Sequence, residues 1–327
     1  MHRLVSLFIG TLLAAFASVA AGEEIAVGNY GVSANGMPFG VALVKGYFKD
    51  EGLNITGLIS SAGGGTSLRN MLAGGGVPYG EVNPGVVVSA IQAGADLKIV
   101  SDNVLTVAEF VWAVKPDSPI KSIKDFKGKK IGYTNPRSTS QALARMLLQA
   151  GGYTEADAEL VKTGGFGEGI AALDSGQIDV AAITEPLWSK VKNKYRAVVV
   201  ASDVLPPLDN VVGVTTVEMA EKRGDFIRAV IRARRKAVQF MIAHPDEAAE
   251  IVAKQYNIEL DVAKSAVRNL TTSKTKGVPY WGEGQIHMEG LKRMIEAQRS
   301  VGAITGEVDY NKIIDTRFLP DDLKAIK

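Results

Sequence analysis

The sequence predicts an α/β protein of two lobes, each built on a mostly parallel central sheet, with two crossovers joining them. Short apolar runs with strand character alternate with glycine-rich loops and helices, an order typical of parallel sheets. Residues 72–77 and 173–178 resemble each other, and each segment precedes a strand that a proline soon interrupts. We interpret them as one unit used once per lobe. The alternative is coincidence within a single α/β domain.

The first third of the chain contains three predicted strands and three predicted helices. Apolar residues near helical spacing indicate the helix that begins at Pro38, and Gly52 ends it. Along the chain we expect strand 24–29, helix 38–51, strand 53–60, helix 67–73, strand 77–82 and helix 85–93.

The rest of the chain repeats this plan and then becomes more helical. We expect strands at 107–114, 130–133, 158–163 and 178–183, and helices at 122–126, 138–149, 168–175, 223–243, 246–256, 261–270 and 285–301. The helical end is expected to pack on the first lobe. Crossovers between the lobes are expected near 105–109 and 206–214.

The N-terminus has the layout of a cleavable secretory signal. Arg3 gives a positive start, residues 4–19 are apolar, and small residues follow at 18–22. A membrane anchor is the alternative, but the apolar run is short for a bilayer span. The chain contains no cysteine, so it lacks an N-terminal lipid-attachment site. We therefore predict a freely diffusing periplasmic protein that begins near Glu23.

Composition and motifs argue against several classes of protein. A formal net charge of +2 is too balanced for general nucleic-acid binding. The three histidines, His2, His244 and His287, lie far apart, and the GxxxxGK[ST] and GxSxG motifs are missing. We therefore expect no enzyme activity, no cofactor and no metal.

Three segments carry a resemblance to a known family. They are residues 42–53 (ALVKGYFKDEGL), 119–132 (PIKSIKDFKGKKIG) and 172–181 (ALDSGQIDVA). In this order they resemble the nitrate/sulfonate/taurine class of ABC-transporter solute-binding proteins, to which thiamine-pyrimidine-precursor proteins are related. Pro78 departs from the pattern, because an acidic residue is expected there, as at Asp179 in the second copy.

The resemblance implies a type II periplasmic binding fold with a hinged cleft between its lobes. It also implies two partners, a small-molecule ligand and the membrane permease of an ABC importer, for a chain expected to be monomeric. The implied division is a signal peptide at 1–22, lobe I at 23–107, lobe II at 108–211 and a second, helical part of lobe I at 212–327.

In open α/β sheets, ligands bind at the loops that follow the carboxyl ends of the strands. Three such loops are candidates in the first lobe, with a purely structural turn as the alternative for each. Their candidate ligand-binding residues are Asn35, Met37, Phe39, Ser61, Gly64, Thr66, Glu81 and Asn83.

The second lobe offers the best candidate for an anion site. A strand precedes the segment 134–140 and a helix follows it, so free amide groups and the helix dipole favour an anion. Arg137 can add a bidentate contact. A capped helix with a solvated arginine is the alternative, and core packing is the alternative for Trp188. The candidate residues are Thr134, Arg137, Ser138, Thr139, Phe166, Glu185 and Trp188.

The sequence thus predicts the binding component of an ABC importer for a small organic or inorganic anion. Phe39, Phe166, Trp188 and Trp281 keep a neutral or aromatic ligand, such as a pyrimidine, open as an alternative. A ligand-sensing subunit of a signalling system would use the same fold. The basic run 228–236 is interpreted as a solvated helix face, with docking to the importer as the alternative.

Overall fold

The computed structural model describes residues 22–61, 64–73 and 77–325. The predicted signal peptide lies outside the described residues apart from Gly22. No helix in the described ranges is long and apolar enough to span a membrane.

The first part of the chain, up to the first crossover, alternates strands and helices. In chain order these are β1 (Glu23–Gly28), α1 (Met37–Val44), α2 (Tyr47–Asp50), β2 (Ile55–Ser61), α3 (Gly64–Ala73), β3 (Gly80–Val82), α4 (Pro84–Gln92) and β4 (Leu97–Val104). The predicted single helix 38–51 is divided into α1 and α2, because Gly46 adopts a left-handed conformation with φ 77° between them.

The middle part contains five strands and four helices. They are β5 (Phe110–Val114), β6 (Lys130–Tyr133), α5 (Thr139–Ala150), β7 (Glu159–Lys162), α6 (Phe166–Asp174), β8 (Ala181–Thr184), α7 (Leu187–Val191), β9 (Arg196–Val200) and α8 (Ala201–Val204). Below, lobe II means these elements.

The last part is mainly helical. It contains β10 (Val211–Thr216), α9 (Val217–Lys222), α10 (Gly224–Ala243), α11 (Pro245–Tyr256), α12 (Leu260–Thr272), β11 (Lys274–Thr275), β12 (Val278–Pro279), β13 (Trp281–Gly284), α13 (Met288–Ser300) and α14 (Tyr310–Ile313). Below, lobe I means the first and last parts together.

Lobe I contains a six-stranded sheet in the order β13-β4-β10-β3-β1-β2. Strand β1 pairs in parallel with β2 and β3, whereas β10 is antiparallel to both β3 and β4. The antiparallel pairings arise because the chain returns from lobe II and adds β10, and later β13, to the sheet. The expectation of mostly parallel sheets therefore needs correction, since the sheet is mixed.

Lobe II contains a three-stranded sheet in the order β8-β5-β9 and a parallel pair, β6-β7. The three strands of the sheet are antiparallel, and a bridge between Ile131 and Val180 links β6 to the segment before β8. The chain crosses between the lobes at 105–109 and again at 205–210, close to the predicted crossovers.

Helix α13 contacts both lobes. It packs between α4 of lobe I and α5 of lobe II. Met294 and Ala297 of this helix are buried in the apolar core that surrounds Phe110 and Leu147 in lobe II. The prediction that the helical end packs on the first lobe is therefore incomplete, because α13 completes the second lobe as well.

A cleft between the lobes

A cavity of about 910 Å³ lies between the two lobes. Loops after β1 and β3 of lobe I face loops after β6 and β7 of lobe II, and both crossovers contribute residues to it. Its size falls within the usual range for small-molecule sites. Eight of the predicted site residues line it, namely Asn35, Glu81, Asn83, Thr134, Arg137, Ser138, Thr139 and Phe166.

The start of α5 forms one end of the cavity. Ser138 caps this helix, and its hydroxyl accepts a hydrogen bond from Gln141 N at 3.2 Å. Arg137 has a φ of 63°, which is uncommon for a residue other than glycine, and its backbone N–H donates to Gln141 Oε1 at 2.7 Å. Arg137 is exposed, and it is the one cationic side chain among the described cavity-lining residues. This end can therefore hold an anionic group.

The inner wall is a row of hydrogen bonds that runs from lobe I to lobe II. Asn83 Nδ2 donates to Thr139 Oγ1 and to the carbonyl oxygen of Asn210, both at 3.0 Å. Thr139 Oγ1 donates to Asn210 Oδ1 at 3.2 Å, and Asn210 Nδ2 donates to Glu109 Oε1 at 2.6 Å. Burial raises the pKa of Glu109 to about 8. At neutral pH, this carboxyl group is therefore mainly protonated.

Two aromatic rings form an apolar corner of the cavity. Phe110 and Phe166 have ring centroids 6.0 Å apart and planes tilted by 57°. Val86 of α4 and Leu187 of α7 also line the cavity. Such surfaces favour a ligand with an apolar or flat part.

Glu81 lines the cavity, but it belongs to a buried network in lobe I. Its two carboxylate oxygens accept hydrogen bonds from Asn35 at 3.0 Å and from Asn103 at 2.7 Å. Arg234 Nε lies 3.5 Å from Glu81 Oε2, and the two side chains are 2% and 0% exposed. Burial raises the pKa of Glu81, while Arg234 and the amide donors oppose the rise. Glu81 is therefore a fixed part of the wall rather than a free partner for a ligand amine.

The position of Arg234 contradicts the interpretation of the basic run as a solvated face. Its Nη1 and Nη2 atoms donate to the carbonyl oxygens of Gly282 and Asn103, both at 2.6 Å. Charged residues are rarely buried unless they are paired, so an arginine in a basic run is normally expected in solvent. The burial of Arg234 therefore could not be predicted from the sequence. Arg232 and Arg235, its neighbours in the run, are partly exposed and form ion pairs with Glu51 and Glu283.

Several predicted residues of lobe I lie elsewhere. Met37 and Phe39 are fully buried in the lobe I core, because α1 begins at Met37 and turns both side chains inward. Thr66 accepts a hydrogen bond from Arg69 within α3 and does not line the cavity. Ser61 ends β2 and Gly64 begins α3. The Ser61 side chain and the surroundings of Gly64 lie outside the described part of the structure.

Glu185 and Trp188 of lobe II also lie outside the cavity. The Glu185 carboxylate accepts hydrogen bonds from Ser189 and from Asn269 of α12. Trp188 packs on the apolar cluster around Val111 and is part of lobe II's own packing. Core packing, the alternative raised for this tryptophan, matches its position, and the proposed ligand contact needs correction.

Sequence reasoning missed several cavity-lining residues, among them Glu109, Phe110 and Asn210. All three lie at or next to the crossovers, which the sequence predicted as connections between the lobes but not as parts of a binding site. At these crossovers Glu109 and Asn210 line the cleft, whereas Leu205 and Leu208 belong to the buried core of lobe II. Polar residues next to a predicted crossover are the signal that could have identified them.

A second groove of about 910 Å³ lies on lobe I at the start of α10. Two of its cations have carboxylate partners. Arg232 Nε lies 2.5 Å from Glu51 Oε2, and Arg317 Nη2 lies 2.7 Å from Glu221 Oε1. In the cleft, by contrast, Arg137 has no carboxylate partner in the described part of the chain. The cleft is therefore the better candidate for an anionic ligand. Within the described ranges, no cluster of histidine, aspartate and glutamate could hold a metal ion.

Comparison with solved structures shows the fold. The periplasmic aliphatic sulphonate binding protein SsuA from Escherichia coli superposes with a TM-score of 0.76 at 19% identity, over 90% of this chain and 92% of that one. The desulfurization enzyme DszB has a related structure, with a TM-score of 0.60 at 14% identity, over 91% and 97% of the two chains. The predicted two-lobed α/β fold of periplasmic binding proteins is thus confirmed, and an enzyme can share it.

Sequence relatives include a riboflavin-binding protein, RibY from Chloroflexus aurantiacus. It is 24% identical over 297 residues, which are 86% of this chain and 82% of the relative. The family described as NMT1/THI5 like matches residues 33–248, a stretch that contains all three motifs that carried the resemblance. Because this match covers more than half of the chain, the protein belongs to the NMT1/THI5-like family.

Proposed function

We propose that this protein is the extracytoplasmic binding component of an ABC importer and that it captures a small organic anion in the cleft. The observation that carries the proposal is the start of α5. There, Arg137 and the capped helix end line the cavity, and Arg137 has no ion pair in the described part of the chain. A helix N-terminus and a guanidinium group both stabilise an anion.

The lining of the cavity supports an organic ligand rather than a bare inorganic ion. Phe110 and Phe166 offer an apolar corner, and the volume greatly exceeds that of a nitrate ion. The anionic group would lie at Arg137, Ser138 and Thr139. The body of the ligand would lie against the two rings and the row of amides.

The proposal also covers export of the protein from the cytoplasm and the division of the chain into two lobes. Residues 1–22 would act as a signal peptide that directs the protein to the periplasm, where it works as a monomer and delivers its ligand to a permease. Residues 23–107 and 212–327 would form lobe I, and 108–211 would form lobe II. The two crossovers, at 105–109 and 205–210, would then act as the hinge.

A neutral aromatic ligand is the second candidate. The Phe110–Phe166 corner favours it, and the relative RibY is described as riboflavin-binding. Arg137 is the one cation among the described lining residues, and the exposed Glu168 also lines the cavity, so the cavity has little net positive charge. This candidate keeps the transport role and changes only the chemistry of the ligand.

Thermal unfolding of residues 23–327 tests both candidates, after denaturation and refolding have removed any bound ligand. The panel contains nitrate, ethanesulfonate, benzenesulfonate, benzoate, riboflavin and thiamine. A ligand at about 100 times its dissociation constant stabilises the protein by about 2.7 kcal/mol, which raises Tm measurably. A shift with benzenesulfonate or benzoate supports the organic anion, and a shift with riboflavin alone supports the neutral aromatic ligand.

A catalytic role is tested with the same samples. Each compound that raises Tm is incubated with the protein and analysed by mass spectrometry. Recovery of the unchanged compound is expected for a binding protein. A new product would contradict the proposal and favour an enzyme on the fold that DszB shares.

A further inference from the structure

The two lobes also touch outside the cavity, at two edges of the cleft. At one edge, α13 packs on α5 through buried apolar side chains, including Met294 and Ala297. At the other edge, α12 of lobe I lies against α7 of lobe II. The chemistry of the second edge differs from that of the first.

Glu185 is the centre of the second edge. This residue follows β8 and is 2% exposed. Its carbonyl oxygen accepts a hydrogen bond from Ala34 N of lobe I at 3.1 Å. Its Oε1 atom accepts from Asn269 Nδ2 of α12 at 2.8 Å and from Ser189 Oγ at 3.0 Å, and its Oε2 atom accepts from Ser189 N at 3.0 Å. Both carboxylate oxygens are thus occupied by the protein itself.

Ser265 extends the same set of contacts along α12. Its hydroxyl group lies 3.0 Å from Ser189 Oγ and 2.6 Å from Lys192 Nζ. Ser189 belongs to α7, and Lys192 directly follows that helix. Within the described part of the chain, the side-chain hydrogen bonds of Ser265 and Asn269 all end on lobe II. These two residues therefore contribute to the contact between the lobes rather than to the folding of α12.

The two edges should respond differently when the lobes move apart. Separating α13 from α5 would expose buried apolar surface, which costs roughly 25 cal/mol per Å². Separating α12 from α7 breaks hydrogen bonds that water can replace at a small net cost. The polar edge should therefore open while the apolar edge stays packed and acts as the pivot.

We infer that Glu185, with Ser265 and Asn269, is a latch that holds the lobes together on the α7–α12 side of the cleft. Glu185 is then a positioning residue: it does not touch the ligand but sets the fraction of molecules whose cleft is closed. A latch of a few hydrogen bonds suits this role, because a ligand can shift only an equilibrium that is already nearly balanced. The inference rests on the proposed movement of the lobes, but its test needs no ligand.

The chain suits a distance measurement because it contains no cysteine. The substitutions Lys49→Cys on α2 and Lys162→Cys on β7 place one spin label on each lobe, at exposed positions outside the cavity and the latch. Pulsed electron resonance then gives the distribution of distances in the ligand-free protein. We expect a population at the distance of the latched structure.

The test variant is Ser265→Ala/Asn269→Ala in this labelled background. Loss of these contacts should lower the ratio of short to long distances roughly tenfold, as expected for hydrogen bonds of modest net strength. Thr272→Ala is the matched control, since its hydroxyl donates to Arg268 O within α12. The control should leave the distribution unchanged. The Tm of both variants should remain near that of the parent.

Two results would overturn the latch. One is a distribution that Ser265→Ala/Asn269→Ala leaves unchanged, and the other is an equal change in Thr272→Ala. Failure of every panel compound to raise Tm would weaken the proposed function but would leave these distances as they are. The two proposals can therefore fail separately.

Discussion

On the lobe I face of the cleft, Glu81 and its polar neighbours bond to one another. On the lobe II face, Arg137 ends in the cavity. Glu81 has two amide donors and a buried arginine, whereas Arg137 has neither a salt bridge nor a side-chain hydrogen bond from its guanidinium group in the described structure. This difference indicates that the two faces of the cleft have different roles. We expect lobe I to provide a preformed wall and lobe II to provide the groups that recognise a ligand.

The largest expected effect comes from breaking the lobe I wall. Arg234→Met should lower the free energy of unfolding by about 3–5 kcal/mol, because it leaves the buried Glu81 carboxylate without its cation. Urea denaturation followed by circular dichroism measures the loss. The double variant Glu81→Gln/Arg234→Met should recover part of it. A loss under about 1 kcal/mol in Arg234→Met would show that the pair does not support the wall.

The next effect concerns Glu109, at the boundary between the two faces. Burial raises its folded-state pKa from 4.5 to about 8, so the folded protein holds this proton more tightly than the unfolded chain. Stability from this group is fully present below pH 4.5 and is lost as pH rises towards 8. Glu109→Gln should remove this loss, which is on the order of 2 kcal/mol between pH 6 and pH 8.

The measurement is the difference in Tm between parent and Glu109→Gln at pH 5, 6, 7 and 8. The difference is needed because burial also raises the pKa of Asp102 and Asp209, which add their own pH dependence to both proteins. The variant should gain stability relative to the parent as pH rises. A constant difference would mean that Glu109 does not titrate in this range.

Removing Arg137, the cation among the described cavity-lining residues, should affect binding and spare the fold. Arg137→Ala should weaken binding of the panel's best anion by about 2 kcal/mol, roughly 30-fold, as expected for a charge-assisted hydrogen bond. Isothermal titration calorimetry measures the change. Lys162→Ala, an exposed cation of the same lobe outside the cavity, is the matched control. Equal affinities for parent and Arg137→Ala would remove Arg137 from the site.

The smallest expected effect tests the apolar corner. Phe166→Ala should weaken binding of benzenesulfonate about fivefold, by loss of roughly 1 kcal/mol of ring contact. It should leave the affinity for ethanesulfonate nearly unchanged, so the ratio of the two affinities is the quantity to measure. An equal loss for both compounds would point to a general disturbance of the α6 end rather than to a ring contact.

Much of the fold could be predicted from the sequence, because short strands, glycine turns and capped helices are local signals. Strand β4 was missed for a physical reason, whereas part of β10 was assigned to the second crossover. Strand β4 carries Ser101, Asp102 and Asn103, which are 0–1% exposed. A polar run usually indicates a loop, and here its groups are bonded inside the protein, for example Asn103 to Tyr79 and Glu81.

The candidate site also contains parts that local sequence signals indicate and parts that depend on residues distant in the chain. The segment 134–140 lines the cleft, and its local signals are a strand, a turn and a helix cap that follow one another within a few residues. The surroundings of Glu81 could not be predicted, since Arg234 lies far along the chain on α10. Met37 and Phe39 were misplaced because the exact start of α1 decides which way they face.

The position of α13 determines when lobe II can finish folding. A chain is synthesised from its N-terminus towards its C-terminus, so every strand of lobe II is made well before Met294 and Ala297, which fill its core. Until the chain is made past residue 297, α5 keeps an apolar face without its final cover. A chain shortened before α13 should therefore aggregate through its middle third, far in sequence from the missing end.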